Sequence, residues 1–123
     1  MAVTWRIGND LLRIQSDKDA TFEEWRGALD EALAHRDYRH GTPVLHDLSR
    51  IKREPSAAET KERVEVMMSR AKVYGFKRWA SVVTGPATFG MTRMAQAFAS
   101  GGPIEFRGFK TLADAEAWVR SEP

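Results

Sequence analysis

The sequence contains no cysteine, so the chain can form neither a disulfide bond nor a thiolate metal site. It has only three histidines, and their scatter along the chain disfavours a dedicated metal centre. No apolar run approaches the length of a membrane span, and the N-terminal residues lack the apolar stretch of a signal peptide. We therefore expect a soluble, cytoplasmic protein that is not integral to a membrane and uses no metal or cofactor.

The sequence also lacks the common motifs of catalysis and of nucleic-acid recognition. It has no phosphate-binding loop, no dinucleotide-binding glycine pattern and no Gly-x-Ser-x-Gly nucleophile turn. Aromatic residues do not alternate with basic ones to form a surface that could stack bases, and no signature of a nucleic-acid-binding module occurs. These absences favour a protein that is not an enzyme and does not bind nucleic acid.

The length of 123 residues is typical of one domain, and we predict a single domain over residues 1–123. Charge is distributed unevenly: residues 1–40 hold six Lys or Arg against eight Asp or Glu, whereas residues 50–78 hold nine against four. The basic segment could attract phosphates, acidic partners or anionic lipid. Its glutamates alternate with Lys61 and Arg63, however, which is typical of a solvated helix face with intrahelical ion pairs.

Apolar periodicity predicts an N-terminal hairpin followed by alternating helices and strands. Two strands flank the turn Gly8-Asn9-Asp10, and capping boxes at Thr21 and Ser56 mark the starts of two helices. The predicted elements after the hairpin are a helix from Thr21 to about His35, a strand at Val44–Leu48, a helix over 57–74, a strand at Trp79–Thr84, a helix ending at Gly101, a strand at Ile104–Phe106 and a helix capped by Thr111.

The predicted fold class is α/β, with a mainly parallel five-stranded sheet, an antiparallel N-terminal hairpin and the order β-β-α-β-α-β-α-β-α. Parallel strands that are covered on both faces read as continuous apolar runs. The strands here alternate instead, because polar residues separate their apolar ones: Arg13, Gln15, Asp47, Ser81, Glu105 and Arg107. We therefore expect the helices to lie mainly on one face of the sheet.

This element order, with Val44-Leu45-His46-Asp47-Leu48-Ser49 at the third strand, resembles the STAS fold of bacterial anti-sigma-factor antagonists. A closer similarity is to the uncharacterised bacterial SpoIIAA-like proteins, also described as STAS/SEC14-like. It rests on the helix Phe89-Gly90-Met91-Thr92-Arg93-Met94 and on the C-terminal segment from Phe109 to Val119. The resemblance covers nearly the whole chain and implies a STAS-like domain, and its kinship with SEC14-like domains implies lipid binding as one function.

One departure from the antagonists concerns the loop after the third strand. In that family an Asp-Ser-Ser-Gly run carries a regulatory phosphoserine, whereas this chain has the longer, basic segment from Arg50 to Ser56. The departure argues against a partner switch operated by a kinase. Ser56 at the helix start is either an N-cap or a phosphorylation site, whose phosphate would meet free backbone N–H groups beside Arg53.

The edge after the third strand is the predicted place for a protein partner or an anion, because α/β sheets usually bind ligands at the carboxyl ends of their strands. The candidate residues there are Asp47, Ser49, Arg53 and Ser56. His46 precedes Asp47, but adjacent residues of a regular strand point to opposite faces, so we do not expect the two side chains to form a catalytic dyad.

Four methionines lie on two consecutive predicted helices: Met67, Met68, Met91 and Met94. Methionine side chains adapt to irregular shapes, so this cluster is either ordinary core or the lining of an apolar ligand pocket.

The sequence as a whole predicts a non-catalytic interaction or regulatory module with an unidentified partner. The alternative is a carrier or sensor of a small apolar or lipid-like ligand. A homodimer is a further expectation, because the apolar edge of the hairpin, at Val3, Trp5 and Leu11, needs cover.

Overall fold

The computed structural model describes residues 2–121. Its elements follow the predicted order, and none of the helices in this part of the chain is long and apolar enough to cross a bilayer. The bounds are β1 Val3–Gly8, β2 Leu11–Ser16, α1 Phe22–Ala34, β3 Val44–Asp47, α2 Ala57–Tyr74, β4 Arg78–Val82, α3 Pro86–Ala99, β5 Glu105–Phe109 and α4 Leu112–Arg120.

The five strands form one sheet in the order β1-β2-β3-β4-β5, which confirms the predicted fold class. β1 and β2 are antiparallel, and the remaining neighbours are parallel. The hairpin turn consists of Asn9 and Asp10, which both have positive φ, of 53° and 58°. Positive φ at both central residues is the conformation of a type I′ turn, whose twist matches that of the strands it joins, and Asn and Asp tolerate it well.

The two faces of the sheet are covered unequally. Helices α1, α2 and α3 lie over one face and enclose the larger core, which includes Leu12, Val44 and Trp79. Of the helices in residues 2–121, α4 alone lies on the other face, where Ala115 and Val119 pack against Leu11, Leu45, Ala80 and Val82. Leu11 and Leu12 thus enter different cores, because successive residues of a strand point to opposite faces.

The ends of β3, β4 and β5 differ from the predicted ones, because pairing with neighbouring strands determines where each strand begins and ends. β3 ends at Asp47 rather than Leu48, and β4 covers Arg78–Val82 rather than Trp79–Thr84. β5 covers Glu105–Phe109 rather than Ile104–Phe106, because it pairs along β4 as far as Val82 opposite Phe109. The apolar periodicity of one strand gives no information on how far the neighbouring strand extends. These ends can therefore be read only from the pairing in the assembled sheet.

The apolar side chains of the hairpin are covered largely within the chain. Val3 and Leu11 are buried in the two cores. Trp5 is half-buried, and its Nε1 donates a hydrogen bond of 2.9 Å to Glu31 on α1. Helices α1 and α4 therefore cover these apolar side chains, while β1 remains an edge strand of the sheet, and the homodimer stays a prediction.

The two predicted capping boxes differ. At α1, Thr21 and Glu24 exchange both hydrogen bonds, as predicted. At α2, Ser56 Oγ accepts a hydrogen bond of 3.0 Å from the backbone N–H of Glu59, but the carboxylate of Glu59 does not return to Ser56. It pairs with Arg53 and Arg63 instead, because two guanidinium groups outcompete one backbone N–H for the same carboxylate. The prediction of a second full capping box was wrong.

Gly75 ends α2 with φ of +78°, and a Cβ at this position would collide with the ring of His40. We expect Gly75→Ala to lower the free energy of unfolding by about 1–2 kcal/mol or more, because a left-handed conformation disfavours a side chain and the ring must also move. The matched control is Gly27→Ala in α1, where a Cβ would meet no atom within 4 Å. This change should raise the free energy by about 0.5–1 kcal/mol through helix propensity. Urea unfolding followed by circular dichroism measures both, and changes of the same sign would contradict the prediction.

Candidate functional site

A pocket of about 60 Å³ lies between α2, α3 and the sheet, near the carboxyl ends of β3 and β4. Its position agrees with the general rule for ligands in α/β sheets. Most of its lining is apolar, and the polar residues are grouped on β3, β4 and the two helices. The lining residues are His46, Leu48, Ile51, Pro55, Thr60, Arg63, Val64, Met67, Ser81, Val83, Thr88, Met91, Thr92, Ala95 and Phe106.

His46 reaches this pocket from β3 and is 2 % exposed. Its Nε2 lies 2.7 Å from Ser16 Oγ, and its ring stacks on Trp25 with centroids 6.1 Å apart. Burial lowers the pKa of His46 well below its ordinary value of 6.5, and the charge of Arg63 lowers it further. The imidazole is therefore neutral at physiological pH, and it is held in one orientation by its neighbours.

Arg63 reaches the pocket from α2 and is only 8 % exposed. Its guanidinium carbon lies 4.9 Å from the ring centroid of Trp25 and 5.7 Å from that of Phe22. Its Nε donates a hydrogen bond of 3.1 Å to Glu59 Oε2. Its Nη1 is buried and has no hydrogen-bond partner within residues 2–121. Burial lowers the pKa of Arg63 and Glu59 opposes that change, but an arginine stays charged in proteins.

Glu59 is shared between two arginines. Arg53 Nη1 lies 3.1 Å from Glu59 Oε1, while Arg63 Nε lies on the other carboxylate oxygen. The Arg53 side chain is 47 % exposed and water solvates it, whereas the Arg63 side chain is 10 % exposed. One carboxylate thus faces two cations, and among the described residues the buried arginine has no other carboxylate paired with it.

The four methionines divide into two pairs. Met67 and Met91 line the pocket, and Met91 Sδ lies 3.7 Å from Thr60 Oγ1 across the two helices. Met68 and Met94 do not line it. Met68 instead packs against Gly102, where a Cβ would approach its sulfur to 2.6 Å. The methionines that the sequence grouped together therefore have different surroundings.

The candidate residues for a partner or an anion lie in separate places. Asp47 Oδ1 accepts a hydrogen bond of 2.9 Å from the Ser49 backbone N–H, and Asp47 borders a groove on the α4 side of the sheet. Ser56 and Arg53 both contact Glu59, at the start of α2. In the described part of the chain, no side-chain hydrogen bond or ion pair joins Asp47 or Ser49 to Arg53 or Ser56.

Arg63 and Ser81 line the pocket, although the sequence suggested a solvated helix face for Arg63 and indicated Ser81 only as a polar residue between apolar ones in its strand. A signal for Arg63 was present in the helical spacing. It lies four residues before Met67, and residues at that spacing share one face of a helix. Ser81 stands opposite His46 across β3 and β4, so the two side chains point to the same face.

Neither a comparison with protein-family models nor one with curated proteins finds a match to this chain. The resemblance to the SpoIIAA-like proteins therefore stays a prediction from the sequence. Within the described residues, no three His, Asp or Glu side chains are grouped as ligands of a metal ion. The geometry of the pocket is what supports a function.

Proposed function

We propose that this chain is a non-catalytic domain that binds a small apolar molecule in the pocket between α2 and α3, as a carrier or a sensor. The observation that supports this most directly is the pocket itself, in which apolar side chains surround a few convergent polar groups. Sites for small molecules typically combine an apolar lining with a small number of placed polar groups.

The volume limits the class of ligand. Pockets for drug-sized molecules have about 300–1,000 Å³, whereas this one has about 60 Å³. A short aliphatic chain suits it better than a long acyl chain or a fused ring system. Met67 on α2 and Met91 on α3 both line the pocket, and their unbranched side chains can rotate to fit a chain of varying length.

The methionine methyl groups provide a direct test. We expect titration with 1-hexanol to shift the methyl NMR signals of Met67 and Met91, which line the pocket, and to leave those of Met68 and Met94 nearly unchanged. Native mass spectrometry of the purified protein adds an independent test, because a co-purifying small molecule would support the proposal. Absence of any saturable shift would overturn it.

A substitution that fills the pocket gives the matching prediction. Ala95 lines the pocket and is 5 % exposed, so Ala95→Leu places additional carbons in its space. We expect this variant to weaken binding of 1-hexanol at least about tenfold, since the methylenes that the ligand would bury are each worth about 0.8 kcal/mol. Ala97→Leu is the control, because Ala97 lies on the exposed side of the same helix. Equal binding by both variants would contradict the location.

The second candidate is an interaction or regulatory module with a protein partner. The observation that favours it is a groove of about 390 Å³ on the other side of the sheet, bordered by Arg6, Arg13, Asp47 and Leu112. Leu112 is 44 % exposed, although it is a large apolar residue. Pull-down from the source cytoplasm with the wild type and with Leu112→Asp tests this candidate. Recovery of the same proteins by both would argue against the groove.

A further inference from the structure

Arg63 is a buried cation with an unpaired donor within residues 2–121, and it lines a mostly apolar pocket. We propose that the ligand of this pocket is a small monocarboxylate with a short apolar chain, whose carboxylate binds Arg63. This inference rests on the proposed function, because it names the chemical class of the molecule that the pocket binds.

The first step of the argument concerns hydrogen bonding. Nη1 of Arg63 is buried without a partner within residues 2–121, while Nε of the same guanidinium is occupied by Glu59. Buried polar groups in folded proteins are nearly always hydrogen-bonded, and an unpaired one is costly. A carboxylate oxygen at the pocket would accept from Nη1, and arginine is suited to this because its donors form a planar fork.

The second step concerns charge. Arg53 and Arg63 share the single carboxylate of Glu59, so this group has one positive charge in excess. His46 adds none, because burial lowers its pKa well below the ordinary value. A buried charge is costly unless it is fully paired, and the carboxylate that pairs with Arg63 also pairs with Arg53. One monoanion restores the balance, whereas a phosphate of roughly two negative charges would exceed it.

The third step concerns orientation. The guanidinium of Arg63 lies over the rings of Trp25 and Phe22, and Glu59 fixes its Nε side. A side chain held in this way loses little further freedom when a ligand binds, which increases affinity. Ser81, on the same face of the sheet as His46, supplies a hydroxyl at the same pocket.

The ligand class is tested by comparing hexanoate with 1-hexanol, followed by calorimetry or methionine-methyl NMR. We expect wild-type protein to bind hexanoate at least about tenfold more tightly than 1-hexanol, as a hydrogen bond to a charged group predicts. Arg63→Met keeps the apolar length of the side chain and should abolish this preference. Lys61→Met should retain it, because Lys61 lies on the same helix but is exposed and does not line the pocket.

The outcomes separate this inference from the proposed function. Equal affinity for hexanoate and 1-hexanol in the wild type, or a preference that survives in Arg63→Met, overturns the assignment of a carboxylate and leaves the apolar pocket in place. Failure of both molecules to bind overturns both. Inorganic phosphate serves as a competitor, and displacement of hexanoate by phosphate at comparable concentrations would contradict the choice of a carboxylate. The wild-type comparison does not depend on whether Arg63→Met folds.

Discussion

Replacement of Trp25 by alanine is expected to lower the free energy of unfolding by about 3–5 kcal/mol, close to the whole stability of many small domains. Trp25 is 0 % exposed and contacts the rings of His46 and Trp79 as well as the guanidinium of Arg63. Its Nε1 has no hydrogen-bond partner within residues 2–121, so the loss comes from packing and not from a broken hydrogen bond. Urea unfolding followed by circular dichroism measures the change.

Trp5→Ala is the matched control for Trp25→Ala. Trp5 is half-buried at the edge of the sheet, so its removal leaves a surface depression that water can fill and not an enclosed cavity. We expect a clearly smaller loss of stability than for Trp25→Ala. Similar losses in the two variants would show that Trp25 does not have the central position described above.

The second large effect is a pH dependence of stability that originates at His46. The pKa of His46 lies well below 6.5 in the folded protein, because the imidazole is buried and Arg63 is near. As the pH falls below about 6.5, the unfolded chain binds a proton that the folded protein does not bind. The free energy of unfolding therefore falls with falling pH, by up to about 1.4 kcal/mol per unit, until the pH reaches the pKa of the folded state.

His46→Gln isolates this contribution, because glutamine does not titrate and can still exchange a hydrogen bond with Ser16. Its absolute stability can differ from that of the wild type, so the comparison is between slopes. We expect the wild-type free energy of unfolding to fall more steeply than that of the variant between pH 6.5 and pH 5. Parallel curves for the two proteins over this interval would contradict a neutral, buried His46.

Much of the fold was predictable because the information for each element is local. The Asn9-Asp10 turn, the Thr21 capping box and the end of α2 at Gly75 each depend on residues within a few positions of one another. Alternation of polar and apolar residues in the strands also indicated that one face of the sheet has less cover. The final lengths of β4 and β5 were not predictable in this way, since each depends on its neighbour in the sheet.

The pocket was less accessible to sequence reasoning, because its residues come from five elements and two loops. The sequence grouped four methionines, but of these only Met67 and Met91 lie on the helix faces that line the pocket. Arg63 was assigned to a solvated face because charged neighbours surround it in the chain. Arg63 is buried because its guanidinium packs on Trp25, which lies 38 positions earlier in the sequence. The residues of α2 alone do not indicate this contact.

The sequence by itself determined the alternation of strands and helices, the hairpin and the caps, because hydrophobic periodicity and turn chemistry act over a few residues. Only the tertiary structure decided that α2 and α3 enclose a pocket, that Glu59 serves two arginines, and that Arg63 retains a buried donor. These features depend on which side chains meet across the sheet and the helices. A buried charge such as that of Arg63 can be identified only from the positions of all the groups that surround it.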